Sequence, residues 1–125
     1  MSKGLIIVIE DDADNMELIK FLLNKAGYDV LTAMDGYQGL ELIRSQIPDL
    51  VLLDLAIPGI DGWHVAQQIR QDEQTASIPI VAVSAHILPR DRQEAIKAGC
   101  NGFLNKPLDI VNFSANVEEF LHKKA

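Results

Sequence analysis

A chain of 125 residues, 48% apolar and 23% charged, is long enough to bury one core unaided and too apolar to be disordered. A formal net charge of −7 argues against a surface that grips nucleic acid or anionic lipid. No apolar run nears the roughly 18 residues of a membrane span. Met1-Ser2-Lys3-Gly4 leads straight into a strand pattern with no cleavage site, and the single cysteine, Cys100, leaves no internal disulfide; both features suit a cytoplasmic protein.

In chain order, Leu5-Ile6-Ile7-Val8-Ile9 is a β-branched strand that runs into Glu10-Asp11-Asp12. Asp14 and Glu17 have the spacing of a capping box, and Met16, Ile19, Leu22, Leu23 and Ala26 recur at helical spacing up to a stop at Gly27. Tyr28 to Ala33 is a short strand of the edge type. Asp35-Gly36 opens a second helix with Leu40, Ile43 and Ile47 on its inner face, closed by Pro48. Leu50-Val51-Leu52-Leu53 reads as a strand covered on both faces, and it delivers Asp54 into a turn of Pro58, Gly59, Asp61 and Gly62.

Asp61 caps a third helix carrying Val65, Ala66 and Ile69, and Gln71 to Ser77 is a loop. Ile78 to Val83 forms a strand that tolerates Pro79 at its start and ends at Ser84-Ala85-His86. Pro89 starts a fourth helix that runs to Gly99. Gly102-Phe103-Leu104 is a short strand before Asn105-Lys106-Pro107, and Ile110, Phe113, Val117, Phe120 and Leu121 form the stripe of a last helix. Five strands alternating with five helices, without repeat or linker, predict parallel strands joined by right-handed crossovers. The expected fold is α/β, a three-layer doubly wound domain spanning residues 1–125.

In a parallel sheet the carboxyl ends of the strands share one edge, where open α/β sheets place their ligands. That edge receives Glu10 and Asp11, then Asp54, Ser84 and Lys106. Each has a structural explanation alone, as cap, turn residue or snorkelling lysine. Their shared placement points to a site. Three carboxylates and one ammonium leave a charge of about −2, which one divalent cation would neutralise. Oxygen ligands without His or Cys select Mg²⁺, with Mn²⁺ as a substitute. A carboxylate beside such a cation is a nucleophile towards phosphorus, with Lys106 and Ser84 placed to hold phosphoryl oxygens.

Ile-Glu-Asp-Asp, Leu-Leu-Asp-Leu-Ala-Ile-Pro-Gly-Ile-Asp-Gly, Val-Ser-Ala-His and Gly-Phe-Leu-Asn-Lys-Pro, in this order across nearly the whole chain, resemble the receiver domain of two-component response regulators, of the stand-alone chemotaxis-regulator kind. The resemblance implies a flavodoxin-like (βα)5 sheet in the order 2-1-3-4-5. It implies Asp54 as acceptor of a phosphoryl group from a histidine kinase or histidine phosphotransfer protein. It implies Mg²⁺ held by Asp11, Asp54 and the Ala56 carbonyl, with Glu10 acting through water. Lys106 would contact the phosphoryl group and precede a cis proline at Pro107, and Asp12 would be a variable loop acid.

The same resemblance makes Ser84 and Phe103 a switch pair that remodels the face of the fourth helix, fifth strand and fifth helix, where Ile87, Leu88, Leu108 and Val111 would be partly exposed. It places Ala56 and His86 beside the phosphoryl group as residues that tune its lifetime. Such a domain catalyses only its own phosphotransfer and slow dephosphorylation, controls a downstream protein partner, contacts neither nucleic acid nor membrane, and is a monomer or a weak phosphorylation-dependent dimer. From the residues themselves, His64 and His122 lack partner acids at ligand spacing and are solvated, Trp63 packs a helix, Cys100 is a small buried hydrophobe, and Lys123-Lys124 assists a helix end. Met1 and the Lys-Lys-Ala ending favour a stand-alone protein. Competing expectations are a receiver-like interaction module that works without phosphorylation, and an Asp54 phosphohydrolase, which would want an acid where Ala56 stands. A flavin or nucleotide carrier would want a glycine-rich phosphate loop, which the sequence lacks.

Overall fold

A computed structural model describes residues 2–55, 57, 60–84 and 89–121. Five strands, β1 (Leu5–Ile9), β2 (Asp29–Ala33), β3 (Leu50–Asp54), β4 (Ile80–Ser84) and β5 (Gly102–Asn105), alternate with five helices, α1 (Ala13–Lys25), α2 (Gly36–Gln46), α3 (Gly62–Gln71), α4 (Pro89–Ala98) and α5 (Phe113–Leu121). All strand pairs are parallel and the sheet order is β2-β1-β3-β4-β5. The chain is therefore a three-layer flavodoxin-like α/β fold, with the apolar β1, β3 and β4 at its centre and the less apolar β2 at an edge. No helix among the described residues is long and apolar enough to cross a membrane.

Strand alternation divides the core in two. Ile7, Ile9, Val51, Leu53, Ile80 and Ala82 face α2, α3 and α4. Ile6, Val8, Leu50, Leu52 and Val81 face α1 and α5, where Phe113 and Val117 are fully buried. At Gly39 α2 lies against β1 so closely that a Cβ would collide with the Ile9 side chain. Helices α1 and α4 both end with a glycine at positive φ, Gly27 at 102° and Gly99 at 111°. In each, the next residue's N–H reaches back into the last turn: Tyr28 donates to the Leu23 carbonyl and Cys100 to the Ala95 carbonyl.

Several local expectations need correction. Helix α1 is capped by Asp12, which accepts from the Asp14 and Asn15 N–H groups, and not by a box of Asp14 and Glu17. Ile47 does not continue the inner face of α2: it is the C-cap, left-handed at φ 46°, and 44% exposed, because Pro48 forbids another helical turn. Ile110 lies outside α5 and is 56% exposed, since Asp109 and Asn112 bond to each other in a turn that delays the helix to Phe113. Strand β4 begins at Ile80, after Pro79, and Gln71 closes α3 before the loop begins. Trp63 is half-buried against the α2–α4 side of the core and Cys100 is buried, both as expected. The thiol of Cys100 is pushed up to about 11 by that burial, partly offset by Arg70.

Candidate functional site

The backbone ladder carries the polar residues beyond the strands proper. The Glu10 N–H donates to the Ala33 carbonyl at 3.0 Å and the Lys106 N–H to the Ser84 carbonyl at 2.9 Å, so both residues are fixed one step past β1 and β5. Asp54 is the last residue of β3, in register with Val83. Counting by twos, Glu10, Asp54 and Lys106 share the phase of Val8, Leu52 and Leu104, on the α1–α5 side. Their side chains meet. Lys106 Nζ donates to Asp54 Oδ2 at 2.9 Å and lies 2.8 Å from Glu10 Oε1. The Lys106–Pro107 peptide is cis.

Glu10 and Asp54 are 1% and 5% exposed, among the few buried charged residues described. Glu10 Oε1 has no hydrogen bond of good geometry, despite its closeness to the ammonium, while Oε2 accepts from the Asp12 N–H at 3.3 Å. Burial raises the Glu10 carboxyl to about 7, with Asp54 adding to the rise and Lys106 opposing it. Burial disfavours the Lys106 ammonium, but Glu10 and Asp54 together hold its net shift upward. Two buried acids thus share one cation, and burial beside Asp54 holds the Glu10 carboxyl above the usual carboxylate range.

Asp11 is exposed beside this pair, and ligand oxygens of Glu10, Asp11 and Asp54 all lie within 4.8 Å of one another. An oxygen-only cluster with excess negative charge fits a hard divalent cation, which would take over the role of the Glu10 proton. Ser84 ends β4, half-buried, and Phe103 on β5 is half-buried against the α2–α4 core. Ser84 pairs in register with Asn105 and Ala82 with Phe103, so Ser84 and Phe103 stand on the same face of neighbouring strands. Leu108 is half-buried and Val111 is 88% exposed. The expectations for Ala56, His86, the Pro58-Gly59 turn, Ile87, Leu88, His122, Lys123 and Lys124 lie outside the described residues.

A family model described as the response regulator receiver domain matches residues 6–118. The chain belongs to that family. Receiver domains are the signalling modules of two-component systems, working with histidine kinases and downstream effectors. This receiver is 37% identical over 118 residues to the DNA-binding dual master transcriptional regulator RpaA of a Synechocystis species, a match covering 94% of this chain but 49% of that protein. It is 31% identical over 121 residues to the polar-differentiation response regulator DivK of Brucella ovis, covering 97% of this chain and 98% of DivK. Among solved structures, the receiver domain of sensor histidine kinase PA1611 from Pseudomonas aeruginosa PAO1, which has a magnesium ion coordinated in its active-site cleft, superposes with TM-score 0.87 at 29% identity over 95% of this chain and 98% of that one. The receiver domain of Francisella response regulator 1452 superposes with TM-score 0.88 at 26% identity, over 97% and 98%.

Two polar features escaped the sequence. Asp12 is not a loop acid: its carboxylate caps α1 while its N–H holds Glu10, so it links the site to the helix. His64 is exposed to solvent, as expected, yet it has a partner acid, for its Nδ1 lies 2.9 Å from Asp61 Oδ2. The spacing of three along the start of α3 was the available signal.

Proposed function

We propose that this receiver is a phosphorylation-dependent switch of a phosphorelay in the cytoplasm, with Asp54 as the acceptor. The supporting observation is the meeting of Lys106 with both Glu10 and Asp54, 2.8 and 2.9 Å away, beside the carboxylate of Asp11. An Asp54 carboxylate oxygen attacks the phosphorus of a phosphohistidine on a histidine kinase or histidine phosphotransfer protein. The new P–O bond replaces the P–N bond, whose electron pair returns to the imidazole. Asp11, Asp54 and the Ala56 carbonyl would hold Mg²⁺ or Mn²⁺ directly, and Glu10 through water. The ion supplies charge neutralisation on the phosphoryl oxygens. Lys106 leaves its Glu10 contact to meet the incoming phosphoryl group, and Ser84 hydrogen-bonds another oxygen.

Phosphorylation adds about one negative charge and new acceptor oxygens at the end of β3. Ser84, drawn towards them, vacates space on the face it shares with Phe103, whose ring turns inward. The surface of α4, β5 and α5 changes with it, and a protein partner reads the change. Ala56 and His86 tune the phosphoryl lifetime. A net charge of −7 speaks against direct nucleic-acid contact by this domain, which acts as a monomer or a weak phosphorylation-dependent dimer.

Incubation with acetyl phosphate and Mg²⁺, followed by intact-mass measurement, tests the proposal. One phosphoryl adduct is expected on the wild type, none on Asp54→Asn and none in EDTA. An unmodified wild type would instead favour an interaction module without phosphorylation. Multiple-turnover release of phosphate from simple monoesters would favour a phosphohydrolase.

A further inference from the structure

At the amino edge of the sheet, opposite the carboxylates, a second polar knot joins three elements. Arg70, in the last turn of α3, donates from Nε to the Gly99 carbonyl at 3.0 Å. Its Nη1 donates to the Ala76 and Ile78 carbonyls at 3.0 and 2.6 Å, and its Nη2 to Asn101 Oδ1 at 2.7 Å. Asn101 Oδ1 also accepts the Ile80 N–H at 2.8 Å, and the Asn101 N–H donates to the Ile80 carbonyl at 2.7 Å. Thr75, buried beneath, donates its hydroxyl to the Ile69 carbonyl at 2.7 Å and fixes the end of α3 from which Arg70 projects. One guanidinium therefore ties the end of α3, the start of β4 and the carboxyl end of α4 together.

Helix α4 has unusual need of such a tie. Among its described side chains only Ala95 and Ala98 are buried, both small and both in its second half, while Arg90, Arg92, Gln93, Glu94, Ile96 and Lys97 are exposed. Helix α1 ends in the same glycine motif but buries Met16, Ile19 and Leu23 along its length. Among the described side chains, apolar contact anchors α1 throughout, whereas that of α4 is confined to its second half, where charge-assisted hydrogen bonds from Arg70 to the Gly99 carbonyl and Asn101 Oδ1 add to it.

We propose that Arg70 and Asn101 pin the carboxyl end of α4, making the helix a lever that turns about Gly99 while its amino-terminal turns move. As a route for the signal from Asp54, this lever rests on the switch proposed above. The pin itself does not, because its bonds involve none of Glu10, Asp11, Asp54 and Lys106.

Amide hydrogen exchange on the unphosphorylated full chain, read residue by residue, tests the pin. In the wild type, the amides of Cys100 and Asn101 should exchange at least about tenfold more slowly than those of Gln93 and Glu94. Arg70→Met should speed exchange at Cys100, Asn101 and Ile80 by about tenfold to a hundredfold, leaving Gln93 and Glu94 within about twofold. Asn101→Ala, a milder lesion that keeps Arg70, should give the same pattern at lower amplitude and serves if Arg70→Met does not fold. Leu23→Ala, in the other half of the core, is the control: it should raise exchange broadly and preserve the gradient along α4. Uniform exchange along wild-type α4, or an Asn101→Ala profile shaped like that of Leu23→Ala, would overturn the pin. Beryllofluoride with Mg²⁺, a phosphoryl mimic, supplies the second arm. Wild-type changes should appear at Gln93 and Glu94 and spare Cys100; equal changes at Cys100 would overturn the lever. A preserved gradient with no response at all would count against the switch and leave the pin standing.

Discussion

At the amino edge of the sheet, Arg70 finds four oxygens within 3.0 Å, and each is a neutral carbonyl or amide acceptor. At the carboxyl edge, Lys106 stands between two buried acids, and Glu10 keeps an oxygen without a good hydrogen bond. The same strands feed both edges, and both bury a cation among oxygens. One edge matches donors to acceptors and so holds shape. The other carries more negative charge than its lysine can balance and so creates demand for a further cation. Polar burial alone does not mark a functional site; imbalance does.

The contrast can be broken most strongly at Lys106. Lys106→Met takes the shared ammonium away from two buried carboxylates and should cost about 3 kcal/mol in EDTA at pH 8, the low end for a broken buried pair because the ammonium is partly solvated. Urea midpoints should show Mg²⁺ recovering much of that loss. Arg70→Met should cost about 2 kcal/mol, since several carbonyls lose one charged donor, and Mg²⁺ should recover none of it. Equal rescue of both variants by Mg²⁺ would erase the distinction between the edges.

A pH series sharpens the comparison further. With its carboxyl raised from 4.5 to about 7, Glu10 binds a proton in the folded protein that the unfolded chain releases earlier. The metal-free protein should therefore lose stability as pH rises from 4.5 to about 7, and Glu10→Gln should flatten that slope. Saturating Mg²⁺ should flatten it in the wild type. The smallest effect belongs to Ile47, a β-branched residue held left-handed at the amino edge. Ile47→Asn should stabilise by up to about 1 kcal/mol at every pH and metal concentration, measured by the same denaturant curves.

The strands were legible because the chain alternates apolar runs with helical stripes, whereas their order in the sheet came only from the resemblance to receiver domains. Asp35, Asp61, Gly27 and Gly99 gave correct helix limits for local reasons of cap and backbone geometry. Asp12 and Asp14 are equally good caps by sequence; Asp12 wins because its N–H is held by Glu10. Ile47 and Ile110 kept the apolar rhythm while Pro48 and the Asp109–Asn112 turn overrode it. Arg70 carried no local signal, since its bonds to Gly99 and Asn101 span 29 and 31 positions. Chemistry concentrated at strand ends can be read from order alone, whereas a tie between distant loops needs the assembled chain.

Gly39 has no part in any chemistry, yet it sets the clearance between α2 and β1 at Ile9, the residue that precedes Glu10. Adding even one carbon there would act as a shim, prising the strand from its helix one step before the first carboxylate. If the site holds the ion proposed above, ion affinity then drifts without any ligand being changed, so variation at a silent glycine becomes a way to retune the site from behind.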